Sequence, residues 1–519
     1  MNRRIQVITP DGREHTRVAA DPAATLSTWL EAAQLPLNTR CGGRGLCRGC
    51  LIEVAGHLIP ACQHYCGDVS RLRIPEASLR DHRINGVSTF EIGPHGYTPQ
   101  PRQGIGLALD IGTTTVAAAL WDLASGQCLA HGSAANEQRR FGDNVLARIN
   151  HAVSQGGISL ELQSALIQDS LQPLVKSLCE AAGIVGSAIT EAVAAGNTVM
   201  QHSLAAADLS GFAAYPFRPA FLDACQLDAR AVGLPFDGPL MLTANLGPFV
   251  GADIAVGAFA CGMLEAEGPA LLIDFGTNGE LLLKTRQGYL ATATAAGPAF
   301  EGGRLNCGSI AGQGVLASLD RADGHWQARD SEGAPPSRST GISGAAYIDF
   351  LHHARVDGLL NQMGRFDSTR DAVTPFEIDG ASEQGVTVHQ QQFVTETDVA
   401  ELMQAKAAIA AGALTLLQEA GLQARELATI YVAGGFGFHL NYPHAMAIGL
   451  LPAIGSERIR IVGNASLGGA SLMLQCGSPA AVEQLRRQCR IIELNQIDHF
   501  EDHFIDCMAL RETPAVWSG

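Results

Sequence analysis

Lysine is nearly absent from these 519 residues: it occurs only at 176, 284 and 406, so the 35 basic residues are almost all arginine. None of the three follows a glycine-rich loop, which excludes a Walker-type P-loop, where a lysine must reach the phosphates. Positive excess is missing too. The net charge of −16 argues against a nucleic-acid binder. Residues 1–16 hold no apolar core of signal-peptide length. The uncharged apolar run 254–264 is too short to span a bilayer and sits between Asp253 and Glu265. With 46% hydrophobic and 17% charged residues, the expectation is a globular, cytoplasmic protein of several domains and no membrane span.

What is present is unevenly placed. Residues 1–80 carry 10 Lys+Arg against 7 Asp+Glu, formally +3, which leaves −19 on the remainder and suggests two modules. Five of the 13 cysteines lie between 41 and 66: Cys41, Cys47, Cys50, then Cys62 after eleven residues, and Cys66. Glycines at 42, 43, 45 and 49 let a loop wrap so that sulfurs converge under backbone N–H groups, the setting of four thiolates around two irons. Structural zinc prefers two Cys-x₂₋₄-Cys knuckles, and only Cys47 and Cys50 are so spaced. Disulfides are disfavoured without a secretory signal. The other eight cysteines read as buried small apolar residues. Strand signals at 4–8 and 14–18, a short helix at 25–33, a strand at 51–54 and a closing strand within 68–75 frame the cluster. Residues 81–103, rich in Pro and Gly, have the composition of a linker, either a tether or a packed connector.

The rest of the chain is organised around 107–120, LALDIGTTTVAAAL: an apolar strand, Asp110, Gly112, three threonines and a second apolar strand. Gly112 permits a tight turn with N–H groups aimed at an anion, Thr113 to Thr115 add hydroxyls, and Asp110 can hold a hydrated cation. The design recurs 164 residues later in LLIDFGTNGELLL, with Asp274, Gly276, Thr277 and Asn278. A late strand ends in Gly434, Gly435 and Gly437. Two Asp-x-Gly-Thr hairpins and a late glycine turn resemble the acetate kinase, sugar kinase, Hsp70 and actin superfamily. That resemblance implies two lobes, each offering a hairpin to nucleotide phosphates, with the glycine turn beside adenosine.

Other stretches leave alternatives open. The 296–303 loop faces either the nucleotide or the lobe interface. A helix opening at 341–346 meets an anion or simply packs closely, and 464–470 is a further helix start. Lys406 is a nucleotide contact or, more simply, a solvated helix lysine. His202 reads as a core histidine. Residues 322–340 read as a surface loop, and Asp498, His499, Glu501, Asp502 and His503 as a metal tail or an exposed helix face.

Taken together, CGGRGLCRGC with ACQ, LALDIGTTTVAAAL, GNTVMQH, FVGAD, LLIDFGTNGE, AGPAFEGG and YVAGGFG resemble the reductive activators of corrinoid proteins over nearly the whole chain. The implied fold is α/β and α+β multidomain: an N-terminal β-grasp, ferredoxin-like [2Fe–2S] domain (1–80), a linker (81–103), and a two-lobed ASKHA, RNase H-like domain with lobes at 104–267 and 268–519. Two departures are expected: a trimmed ferredoxin segment, and no counterpart of the middle domain of larger members. The resemblance implies Cys41, Cys47, Cys50 and Cys62 as cluster ligands, with Cys66 the runner-up to Cys62. It assigns Gly112, Thr113, Thr114, Thr115, Gly276, Thr277, Asn278, Gly434, Gly435 and Gly437 to ATP. It gives Asp110 and Asp274 to Mg²⁺ and the attacking water, with Glu280 a weaker candidate. The implied activity is ATP-driven return of one electron to an inactive Co(II) corrinoid protein, supplied by an upstream low-potential donor; a homodimer is possible. A deficit of ~100 mV against a cluster near roughly −400 mV costs about 2.3 kcal/mol, small beside nucleotide hydrolysis. The competing readings are a small-molecule kinase with a fused redox sensor and a non-enzymatic, nucleotide-gated redox switch.

Overall fold

The computed structural model describes the chain except residues 1–2, 10–11, 20, 34, 36, 38–49, 76–77, 79–97, 143, 311, 313, 332, 337–338, 379, 477–479 and 513–519. Cys41, Cys47 and most of the 81–103 linker therefore lie outside the described residues.

The N-terminal strands β1 (Arg3–Ile8), β2 (Glu14–Ala19), β3 (Leu51–Val54), β4 (His57–Pro60) and β5 (Arg71–Arg73) form one sheet in the order β2-β1-β5-β3-β4. β1 pairs antiparallel with β2 and parallel with β5, the first and last strands meeting at the centre. The helix Leu26–Ala32 is capped by the Thr25 hydroxyl, which accepts from the Thr28 N–H. It buries Leu26 and Leu30 against Ile5, Val7, Ile52 and Leu72.

Two further sheets repeat one plan. The first holds β6 (Ile105–Ile111), β7 (Thr115–Asp122), β8 (Gln127–Ala135), β9 (Ile189–Gly196), β10 (Cys225–Asp228) and β11 (Pro239–Leu242), ordered β10-β11-β9-β6-β7-β8. The second holds β12 (Ala270–Phe275), β13 (Gly279–Lys284) and β14 (Tyr289–Thr294), with Thr429–Ala433 and Ile459–Gly463 beyond β12 and Cys489–Ile491 beyond β14. In each, three antiparallel strands come first and two parallel strands lie beyond the first of them, β9 and β11 in one sheet and Thr429–Ala433 and Ile459–Gly463 in the other; β10 adds antiparallel to β11 at the edge. The central strands are apolar throughout, as strands covered on both faces must be.

The helices Ala252–Ala260 and Ala465–Cys476 lie between the two sheets, in a core that mixes Ala108, Ala117 and Val193 of one with Leu272, Leu282 and Tyr431 of the other. Their contact is made by small residues: a Cβ on Gly257 would sit 3.1 Å from that of Ala465, and one on Gly469 would lie 2.2 Å from the Val256 carbonyl oxygen. Small side chains let two helix backbones approach closely, which explains the run of Ala and Gly at 465–470.

One expectation changes here. The surface loop expected at 322–340 contains a strand, His325–Arg329, paired antiparallel with Ser318–Ala322; Trp326 stacks on Phe350, and that apolar anchor outweighs the polar composition. The apolar run at 254–264 is helical from Ala252 only to Ala260, and Gly262, at φ +77°, follows its end. Among the described residues one helix, Glu396–Glu419, is long and apolar enough to cross a membrane, but it is mostly buried in the protein. It opens on a reciprocal capping box between Thr395 and Asp398.

Candidate functional site

The repeated plan places the two Asp-x-Gly-Thr turns at matching sheet positions. Asp110 pairs with Ala195 of the neighbouring parallel strand, and Asp274 with Ala433. The turns meet across a cavity of about 160 Å³ lined by both. Gly112 is required where it stands, since a Cβ there would lie 2.6 Å from the Thr115 carbonyl oxygen. Gly434, at φ +91°, passes beside the end of β12; a Cβ would be 2.5 Å from the Phe275 carbonyl oxygen.

Of the sequence-derived residues, Asp110, Gly112, Thr113, Thr114, Thr115, Gly276, Thr277, Asn278, Glu280, Gly434 and Gly435 all line the cavity. Gly437 does not. It sits against the sheet, where a Cβ would come within 2.9 Å of Val432 Cγ1.

Other lining groups carried no role in the sequence reading: Asn197, Asp253, Glu301, Asn464 and Ser466. Asn464 Nδ2 and Ser466 Oγ donate to the two Asp110 oxygens at 2.8 and 2.7 Å. Thr114 and Thr277, one from each hairpin, place their hydroxyl oxygens 2.6 Å apart. Glu301 Oε2 accepts from Thr277 at 2.7 Å and lies 3.3 Å from Thr114 Oγ1. Each of these residues starts a helix or sits in a loop, so its neighbours are set by tertiary contact rather than by local pattern.

Five carboxyl groups face the cavity, with no lysine or arginine among its described lining residues. Desolvation pushes Asp110 up to about 6, less than it would without the Asn464 and Ser466 donors. Asp274 is pushed up to about 8 by desolvation and by the nearby Asp253, Asp110 and Glu301 charges. Glu280, buried beside Asp253, is held well above the usual range by desolvation and that neighbour; Asn197 Nδ2 and the Gly251 N–H bond its oxygens at 3.2 Å each. A carboxyl that keeps its proton is a poor base, so Glu280 suits positioning of Asp253 better than activation of water.

Oxygen donors crowded without a cation suit a hard divalent ion. Among the described residues no three His, Cys, Asp or Glu side chains are arranged to hold a metal alone. The fit is therefore to an ion that keeps several waters and shares phosphate oxygens, as Mg²⁺ does.

The remaining candidates resolve as follows. Ser343, Gly344 and Ala345 line the cavity, and Gly344 also packs closely against the Phe300 carbonyl. Lys406 is neither a cleft residue nor solvated: it is fully buried, its Nζ donates to the Ile448 and Ala509 carbonyls at 3.0 and 2.7 Å, and burial lowers it to about 8. His202 is a core histidine, stacked on Phe221 and bonded through Nδ1 to the Thr198 carbonyl. His503 reaches Thr415 on the 396–419 helix.

At the cysteines, the β3–β4 hairpin brings Cys50 and Cys62 to one end: the Ala61 N–H donates to the Cys50 carbonyl at 3.0 Å. Both are buried, and Gln63 Nε2 lies 3.8 Å from Cys62 Sγ. The Cys66 thiol lies 3.9 Å from the Thr25 carbonyl, and burial raises it.

Known proteins agree with this architecture. The family model described as the C-terminal domain of RACo, the ASKHA domain, matches residues 268–517, and that of the RACo middle region matches 105–266. The second match coincides with the first of the two repeated sheets. The chain is 29% identical over 417 residues to the corrinoid activation enzyme RamQ of Eubacterium limosum, covering 77% of this chain and 68% of that protein. It is 25% identical over 240 residues to a [Co(II) methylated amine-specific corrinoid protein] reductase of Methanosarcina barkeri, spanning under half of either chain. A solved reductive activator for a corrinoid, iron–sulfur protein superposes with a TM-score of 0.73 at 26% identity, over 98% of this chain and 99% of that one. This chain belongs to the RACo family, the reductive activators of corrinoid proteins.

Proposed function

We propose that this protein couples ATP binding and hydrolysis to one-electron reduction of a corrinoid protein, converting inactive Co(II) to Co(I). The observation that carries the reading is the pair of like hairpins meeting across one acid-lined cavity in a chain whose N-terminal module holds five clustered cysteines. In this reading Gly112 to Thr115 and Gly276 to Asn278 grip phosphates, while Gly434 and Gly435 allow adenosine close to the backbone. Asp110 and Asp274 hold the waters of a phosphate-bound Mg²⁺. Because each lobe supplies one hairpin, filling the cavity draws the lobes together and loss of the terminal phosphate releases them, a hinge motion that times partner docking.

Residues 1–80 are assigned to a ferredoxin-like module, supported by the central pairing of its first and last strands. A [2Fe–2S] cluster bound there would supply a single low-potential electron. Cys50 and Cys62 share one hairpin end and suit such a group, together with Cys41 and Cys47; Cys66, whose thiol donates to the Thr25 carbonyl, is assigned to packing. The test is anaerobic: mix reduced protein, Mg·ATP and a Co(II) corrinoid protein, and follow Co(I) optically. Formation of Co(I) that requires ATP supports the reading, and its absence across a panel of corrinoid proteins sinks it. Iron and acid-labile sulfide should be lost in Cys62→Ser and kept in Cys66→Ser; the reverse result reassigns the fourth ligand.

A further inference from the structure

The Glu301 carboxylate occupies an unusual place: one of its oxygens sits at the apex of a triangle whose other corners are the hydroxyls of Thr114 and Thr277, one from each phosphate hairpin. We propose that Glu301 is an internal competitor for the terminal phosphoryl group, holding both hairpin hydroxyls until that group displaces it. The inference rests on the nucleotide reading above and adds a residue that sets how readily the cleft accepts a triphosphate.

The argument is one of valence and charge. A threonine hydroxyl has one proton to donate, so while it bonds Glu301 it cannot bond a phosphate oxygen. A carboxylate and a terminal phosphate sharing that spot would also repel strongly, with Asp110, Asp253 and Asp274 already facing the same cavity. Glu301 must then leave the two hydroxyls. It lies between Gly297 and Gly302, at φ +71° and +74°, and a Cβ on Gly297 would meet nothing within 4 Å. The adjacent Phe300 packs on Phe275 and Phe436 in the cavity wall, and its carbonyl abuts Gly344 at the start of the helix Gly344–Val356. Displacing Glu301 therefore changes the packing of the second lobe as well as the hairpins. Burial raises the Glu301 carboxyl, and the two hydroxyls offset part of that rise.

The experiment compares wild type, E301A and E301Q in the full chain, measuring Mg·AMPPNP and Mg·ADP affinities by calorimetry. Removing the competitor should tighten AMPPNP at least about tenfold, equivalent to 1.4 kcal/mol, and raise the preference for AMPPNP over ADP. E301Q, neutral but isosteric, should fall between, and it carries the comparison if E301A melts early. A variant that binds AMPPNP as weakly as wild type, or more weakly, overturns the proposal and makes Glu301 a ligand or a bystander. Wild type binding neither nucleotide is a different failure, defeating the nucleotide reading itself.

Discussion

The two hairpins look alike in sequence and differ in what surrounds their aspartates. Asp110 faces Ala117 across its hairpin and has both oxygens bonded, by Asn464 and Ser466 from the start of the Ala465–Cys476 helix. Asp274 faces Glu280 across its own hairpin and, among the described residues, receives no such donor. One carboxylate is built in, and the other is left to the cavity. Duplication supplied two equivalent turns; the helix between the sheets, threaded from the second lobe onto the first, made them unequal. The teaching is that a buried acid is tuned by its donors: about 6 with two of them, about 8 with none and three acidic neighbours.

The largest expected consequence is functional. Asp274→Asn should lower ATP turnover at least ~100-fold, because the carboxylate free to face the cation is the one removed. Single-turnover phosphate release measures it, and wild-type rates would erase the distinction between the hairpins. The next effect concerns stability and has opposite signs. Asp110→Ala strands two buried donors and should cost about 1–3 kcal/mol in urea unfolding, whereas Asp274→Ala removes a crowded acid and should leave stability equal or higher. Equal losses would mean that the two sites are energetically the same.

Acidity sharpens the contrast further. In the folded protein Asp274 keeps its proton to about pH 8 and Asp110 to about pH 6, whereas in the unfolded chain both ionise near 3.8. The folded state then binds more protons, so stability falls as pH rises, with both acids contributing from about pH 4 to 6 and Asp274 alone of the pair from 6 to 8. The slope per group is at most about 1.4 kcal/mol per pH unit, reduced where cavity water screens it. Melting temperatures across pH 5–8 should decline without Mg·nucleotide, less so in Asp274→Asn, and flatten when Mg·AMPPNP is added. The smallest effect is Ser466→Ala, which leaves Asp110 one side-chain donor and should cost about 1 kcal/mol without abolishing nucleotide binding.

How far the site was legible depends on where each residue gets its partner. Asp110, Thr114, Asp274 and Thr277 announce themselves because strand, turn and strand are local, and a small polar turn between apolar runs has few other uses. Glu301 and Asp253 stood in quoted stretches but without a role, since only the opposing hairpin tells what a loop glutamate or a helix-start aspartate faces. Asn464 and Ser466 read only as a helix start; their acceptor lies 354 and 356 residues away. Lys406 was misjudged because its helix is buried all round, and nothing local shows that two distant carbonyls will receive its protons. Gly437 shared the pattern of its neighbours yet faces the sheet, since a one-residue difference in a tight turn reverses direction.

Sequence alone determined the elements: apolar strands ending in aspartate, the tight glycine turns that follow them, and a cysteine cluster apart from the other thiols. These follow from short-range sterics and from hydrophobic spacing, which the chain carries residue by residue. Tertiary structure alone decided which acids share a cavity, which one is neutralised by donors, and that a glutamate bridges the two hairpins. Those properties depend on desolvation and on charges only a few ångströms apart in space but hundreds of residues apart in sequence, distances that no local pattern encodes.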